Sequence, residues 1–317
     1  MCDPARLIRY TLVLLIPLTA SVAFAQEPQP QRPRRAIAAA NLIPEGTREL
    51  RDIEYVKGGG RAQSLDLFIP PNVDRPMPLI IGFHGGGWRS GDKAQNPGIG
   101  LLRAGYIVAS VNYRLSQQAI WPAQIHDCKT AVRWLRAHAE EYHIDPDRIG
   151  VWGASAGGHL VAMLGTAGDA KELEGDGENA NVSSKVQAVC DLFGPSDLTR
   201  TEDEAAADGA VPKLLGGPIR ENLEKAKQAS PLTYVSRDDP PFLILHGTKD
   251  PLVPVRQSQW LHDALKKAGV ESHLDIIEGA GHGGAEFFTP ARRKMILDFL
   301  DTHLKRPATQ PATKPVE

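Results

Sequence analysis

Apolar residues along this chain recur in two rhythms. Short continuous runs at 79–83, 106–111, 149–152, 186–192, 242–245 and 273–277, each bounded by glycine or proline, predict strands buried on both faces, as a parallel sheet requires. Between and after them, apolar residues at helical spacing predict helices over 122–138, 156–164, 257–268 and 289–305. The last has a clear start, with Thr289 as N-cap and Pro290 at the first helical position, and Met295, Ile296, Phe299, Leu300 and Leu304 form one stripe to pack on the sheet. Ahead of this alternation, the run 53–56 and the every-second-residue pattern Leu65, Leu67, Ile69 predict two strands paired antiparallel through Gly58-Gly59-Gly60. The fold class expected is α/β: a mostly parallel central sheet with helices on both faces, spanning 45–306.

Two stretches break the rhythm. Residues 169–178 are acidic and glycine-rich, but their carboxylates lack EF-hand spacing, which favours a solvated loop over a calcium site. Residues 197–236 read as a long polar insertion between strands, and 199–210 is too polar to present a broad lipid-binding face.

The candidate chemistry sits where predicted strands end. The run Ile149-Gly150-Val151-Trp152 feeds Gly153-Ala154-Ser155-Ala156-Gly157, a G-x-S-x-G pattern opening a helix. A strand-to-helix turn this tight strains its serine and exposes the Oγ of Ser155, while the helix N-terminus favours negative charge developing beside it. His84-Gly85-Gly86-Gly87-Trp88 closes the strand 79–83, and its bare backbone amides suit an oxyanion hole formed by Gly86 and Gly87 with Ala156. Trp88, beside that loop, is a candidate for the substrate pocket. Asp250 follows the strand 242–245, and His282 lies on the glycine loop 279–284. Asp239 and Asp275 compete as the acid, but one precedes two prolines and the other lies within a strand. His159 competes as the base, but it is fixed on the helix four residues past Ser155, whereas a histidine on a glycine loop has the reach. His84 is expected to brace its loop by hydrogen bonding and His246 to be structural.

The order Ser155, Asp250, His282, each just beyond a strand, resembles that of the α/β-hydrolase fold, and the HGGG segment is similar to its hormone-sensitive-lipase-like esterases. Further likeness to the secreted bacterial acetyl and feruloyl esterases lies in Val111-Asn112-Tyr113-Arg114-Leu115, in Trp121-Pro122-Ala123-Gln124 and in 143–150. The resemblance covers roughly residues 45 to 305. It implies a Ser155–His282–Asp250 triad acting through an acyl-enzyme on small-molecule or polysaccharide esters, with no metal or organic cofactor. A short-chain lipase or general carboxylesterase, and a catalytically inactive binding module of the same fold, are the alternatives.

Composition adds an address. With 36 basic and 38 acidic residues, the formal net charge is -2, which argues against a nucleic-acid partner or an electrostatic hold on a membrane. Residues 1–25 read as a secretory signal, with Arg6 and Arg9 before the apolar run 12–20 and an Ala23-Phe24-Ala25 cleavage site, so the mature protein is expected outside the cytoplasm and free of the membrane. Residues 26–44 are a Pro- and Gln-rich lead-in and 307–317 a loose tail, both expected to be disordered. Removal of the signal leaves Cys128 and Cys190, which are either a disulfide or two buried thiols. Oligomeric state stays open.

Overall fold

The computed structural model describes residues 43–95, 98–200 and 209–305. The signal segment 1–25, the lead-in apart from residues 43 and 44, and the tail 307–317 therefore lie outside the described residues. Eight strands build one sheet: β1 (Arg48–Glu54), β2 (Ser64–Ile69), β3 (Met77–Phe83), β4 (Ile107–Val111), β5 (Ile144–Ala154), β6 (Ala188–Leu192), β7 (Phe242–Gly247) and β8 (Ser272–Ile277). Their spatial order is β1-β2-β4-β3-β5-β6-β7-β8. The pairs β1/β2 and β2/β4 are antiparallel, and every pair from β4/β3 to β7/β8 is parallel.

The four long helices fall where the apolar spacing puts them: α1 (Ala123–Ala137), α2 (Ala156–Thr166), α5 (Arg256–Ala268) and α6 (Pro290–Leu304). The Thr289 side chain accepts the amide of Arg292, capping α6 as its sequence predicts. Two short helices, α3 (Ala210–Leu215) and α4 (Leu223–Gln228), lie in the insertion. The sheet separates two cores. One face packs Leu67, Leu79, Ile81 and Val151 beneath α1 and α2, and the other packs Ile80, Val108, Trp152 and Leu243 beneath α6.

Three expectations are settled by this packing. Cys128 belongs to the first core and Cys190 to the second, both buried and free, so the sheet itself stands between them and no disulfide forms. The insertion is less polar than its composition suggests, because Val211, Leu214, Leu215, Ile219 and Ala226 are buried in the first core. Its residues 201–208 lie outside the described residues. The acidic stretch is not simply solvated either: Glu174 pairs with the buried Lys129 at 2.6 Å and the buried Arg133 at 2.7 Å. No group of three or more potential ligands is placed to hold a metal among the described residues, and no described helix is long and apolar enough to cross a membrane.

Candidate active site

Strand register carries the chemistry to one edge. Phe83 of β3 pairs with Val111 of β4 and Gly153 of β5, Leu192 of β6 pairs with Ala154, and Leu245 of β7 pairs with Leu192. The parallel strands thus end together, and His84, Ser155, Phe193 and His246 emerge side by side at the carboxyl edge of the sheet.

The turn from β5 into α2 leaves Ser155 at φ 57, ψ -119, a conformation non-glycine residues rarely adopt. The positions two residues to either side must be glycine for lack of room. A Cβ on Gly153 would stand 2.2 Å from the carbonyl oxygen of Gly157, and one on Gly157 2.2 Å from that of Phe83. The helix therefore crosses β3 and β5 at backbone distance, which pins the elbow. The amide of Ser155 donates to the carbonyl of Leu192 at 2.9 Å, tying the elbow to β6 as well.

Ser155, 127 residues away from His282 in sequence, donates its hydroxyl to Nε2 of that residue at 2.8 Å. His282 in turn donates Nδ1–H to Oδ2 of Asp250 at 2.7 Å, which fixes the tautomer. The other carboxylate oxygen accepts the amides of Leu252 and Val253 at 2.8 and 2.9 Å. The Asp250 side chain is fully buried, and burial alone would raise its pKa. The hydrogen bonds from His246, His282 and the two amides outweigh that and hold the carboxyl well below the usual carboxylate range.

The competing residues are engaged elsewhere. Asp275 pairs with Arg292 at 2.6 Å, and Asp239 bonds Ser236 at 2.8 Å. His159 is buried, accepts from the indole N–H of Trp88 at 3.2 Å and donates to the carbonyl of Ala229 at 2.7 Å. Burial pushes its pKa down to about 4, so it is a neutral structural histidine. Trp88 is thereby corrected as a pocket residue: the residue is 3% exposed and its ring is committed to His159 and the core. His84 stacks on Tyr113 with ring centroids 4.3 Å apart and donates Nδ1–H to the carbonyl of Gly85 at 2.8 Å, while the Tyr113 hydroxyl donates to the carbonyl of His84.

The glycine loop serves its own turn and the site together. Gly86 has φ 115, its carbonyl accepts the amides of Arg89 and Ser90, and a Cβ there would lie 2.2 Å from the carbonyl oxygen of Ser90. Gly87, at φ 59, faces the insertion, with Ala210 of α3 3.2 Å from where its Cβ would be. The insertion thus rests directly on the loop. A cleft of about 990 Å³ lies between the starts of β3 and β5 at the opposite edge of the sheet, and no triad residue lines it.

Two residues gave no sequence signal. Asp191, next to last in β6, is fully buried, with Oδ1 accepting the amide of Gly194 at 2.9 Å and Oδ2 meeting no donor among the described residues. Phe193, two residues on, sets its ring against that of His282 at an inclined angle. The only hint in the chain is Gly194-Pro195 closing the strand.

An eight-stranded, mostly parallel sheet with a strained serine at a strand–helix elbow defines the α/β-hydrolase fold. The chain belongs to the BD-FAE family, whose model matches residues 65–265, and a model described as TAP-like protein matches 221–311. It is 36% identical over 225 residues to "Probable carboxylic ester hydrolase LipM" of Mycobacterium tuberculosis, an alignment that covers 68% of this chain and 51% of the relative. This chain spans about half the length of that relative. A solved structure titled "Truncated form of carbohydrate esterase from gut microbiota" matches with TM-score 0.78 at 33% identity, covering 83% of this chain and 99% of its own. The acetyl ester-xyloside bifunctional hydrolase from Caldicellulosiruptor lactoaceticus matches with TM-score 0.64 at 30% identity, covering 75% and 88%.

Proposed function

We propose that the protein is a secreted serine esterase that removes acetyl or feruloyl groups from carbohydrate through an acyl-enzyme. The observation that carries the reading is the imidazole of His282 hydrogen-bonded to Ser155 at 2.8 Å and to the buried Asp250 at 2.7 Å. In that geometry Nε2 takes the hydroxyl proton as Oγ attacks the ester carbonyl, and Asp250 stabilises the imidazolium that forms. The amides of Gly86, Gly87 and Ala156 receive the oxyanion, since the described residues offer them no other acceptor. His282 then hands the proton to the departing alcohol. A water activated by the same nitrogen splits the acyl-enzyme and restores Ser155.

The carbohydrate substrate rests on the likeness to the gut-microbiota carbohydrate esterase and the acetyl ester-xyloside hydrolase, and export on the signal-like pattern of residues 1–25. Ala210 stands against Gly87 beside the oxyanion amides, and a short acyl chain is the one we expect the site to take. Acetyl and butyryl nitrophenyl esters should therefore exceed the decanoyl ester in kcat/KM, because added methylenes find no apolar wall to bury against. Acid released from acetylated or feruloylated xylan by the purified protein tests the substrate. Preference for long chains would replace this reading with a lipase. Hydrolysis of nitrophenyl esters without either polysaccharide would leave a general carboxylesterase. Recovery of a chain beginning at Gln26 outside the cytoplasm tests export, and an unprocessed cytoplasmic chain would refute it.

A further inference from the structure

We propose that Phe193 is a positioning residue that holds the imidazole of His282 between Ser155 and Asp250. The inference rests on the triad reading and adds a member to the site.

His282 sits on a loop with little stiffness of its own, between Gly279, Gly281, Gly283 and Gly284. Its two hydrogen bonds fix the nitrogens but leave the ring free to tilt about the line joining them. A third contact decides that angle. The Phe193 ring lies 4.6 Å from that of His282, inclined by 58°, and its Cζ is 3.5 Å from where a Cβ of Gly283 would stand. One ring thus meets both the imidazole and the backbone that carries it.

Phe193 is itself over-determined. Its φ of 45 lies in the left-handed region, which residues with a Cβ rarely adopt. Its amide donates to the carbonyl of Leu245 at 2.8 Å. The carbonyl before it, of Leu192, receives the Ser155 amide, and the amide after it, of Gly194, is held by the buried Asp191 carboxylate. Phe287 meets the ring edge-on at 4.9 Å and His246 at 6.3 Å. Strain kept at such a point, with the adjoining peptides tied to Ser155, to β7 and to the buried Asp191, marks a built feature. The same segment that anchors the elbow of Ser155 aims the side chain that supports its base.

Two variants and one control test this with nitrophenyl acetate as substrate. Phe193→Leu keeps bulk without the ring, and Phe193→Gly suits the left-handed backbone, so that one folded variant remains if leucine is not tolerated. Phe299→Leu makes the same loss in the same core, on α6. Both Phe193 variants should lose about 10- to 100-fold in kcat with KM within about twofold, the size expected when a catalytic group is misplaced by a fraction of an ångström to an ångström. The low-field proton of the His282 Nδ1–H should broaden in both Phe193 variants and persist in Phe299→Leu. Unchanged kcat in a folded Phe193 variant, or an equal loss in Phe299→Leu, would overturn the inference. Full turnover by Ser155→Ala would instead overturn the triad reading, so the two failures are told apart.

Discussion

His246 Nε2 lies 3.3 Å from Oδ2 of Asp250, the same oxygen that receives the proton of His282 at 2.7 Å. That nitrogen donates to the carbonyl of Val253 at 2.8 Å, while Nδ1 accepts from the hydroxyl of Ser258 at 2.7 Å. A histidine from the end of β7 therefore closes the loop that presents the acid. His246→Leu should lower stability by about 1–3 kcal/mol, because the buried Ser258 hydroxyl and Val253 carbonyl lose their partner. Turnover should fall by about tenfold through the displaced Asp250 loop. Urea unfolding beside kcat measurement checks both, and an unchanged unfolding midpoint would contradict the account.

Ser155→Ala and His282→Ala should each cost about 10⁴-fold or more in kcat while the protein stays folded. Asp250→Asn should come close to them. Oδ1 already accepts two amides, so the amide nitrogen of asparagine would face Nδ1 and force the wrong tautomer on His282. Steady-state kinetics on nitrophenyl acetate ranks the three. Asp250→Asn within tenfold of the parent would show that another group orients the imidazole.

Gly86→Val should abolish most activity and also lower Tm by several degrees. A branched side chain where oxyanion amides must approach is harmful by itself. The closer constraint is the turn, where φ is 115 and a Cβ would stand 2.2 Å from the Ser90 carbonyl oxygen. A calorimetric scan beside the assay would detect both effects, and lost activity at unchanged Tm would contradict the turn constraint.

Asp191 should impose a pH dependence of its own. Burial raises its pKa to about 6 from 3.8, against the opposing pull of the Gly194 amide and His246. The native state thus holds a proton that the unfolded chain releases between these values, so this residue's contribution to stability is lost as pH rises from about 4 to 6. Above that window the cost of the buried charge is present in full. Asp191→Asn should gain on the parent across the window by something on the order of 3 kcal/mol. Urea unfolding at pH 4 and pH 7 measures this difference, and a gap that is flat or narrows with pH would contradict it.

Local rules made much of this protein legible from its residues alone. Parallel strands buried on both faces must be continuously apolar, so β3 to β7 stand out, while β8 reads like them but is an edge strand with His273 and Ile276 exposed, and Thr289-Pro290 fixes the start of α6 through an orphan amide that any helix must satisfy. The nucleophile is equally local, since glycines around Ser155 are demanded by backbone contacts within the elbow and with the strand beside it. Asp250 and His282 are identified by order along the chain, because the fold places each just past a strand end.

Register and packing across the sheet decided the rest. Whether Cys128 meets Cys190 depends on which face each occupies, and the sheet keeps them apart. Trp88 stands beside the oxyanion loop in sequence yet turns inward to His159, because a positive φ at 88 redirects its side chain and a buried imidazole offers its indole a partner. The insertion reads as polar, yet its scattered apolar residues join one core once α3 and α4 form. Phe193 and Asp191 become part of the site only where β6 ends level with β5 and β7. No periodicity marks them, because their roles arise from neighbours that are remote along the chain and adjacent only in the folded sheet.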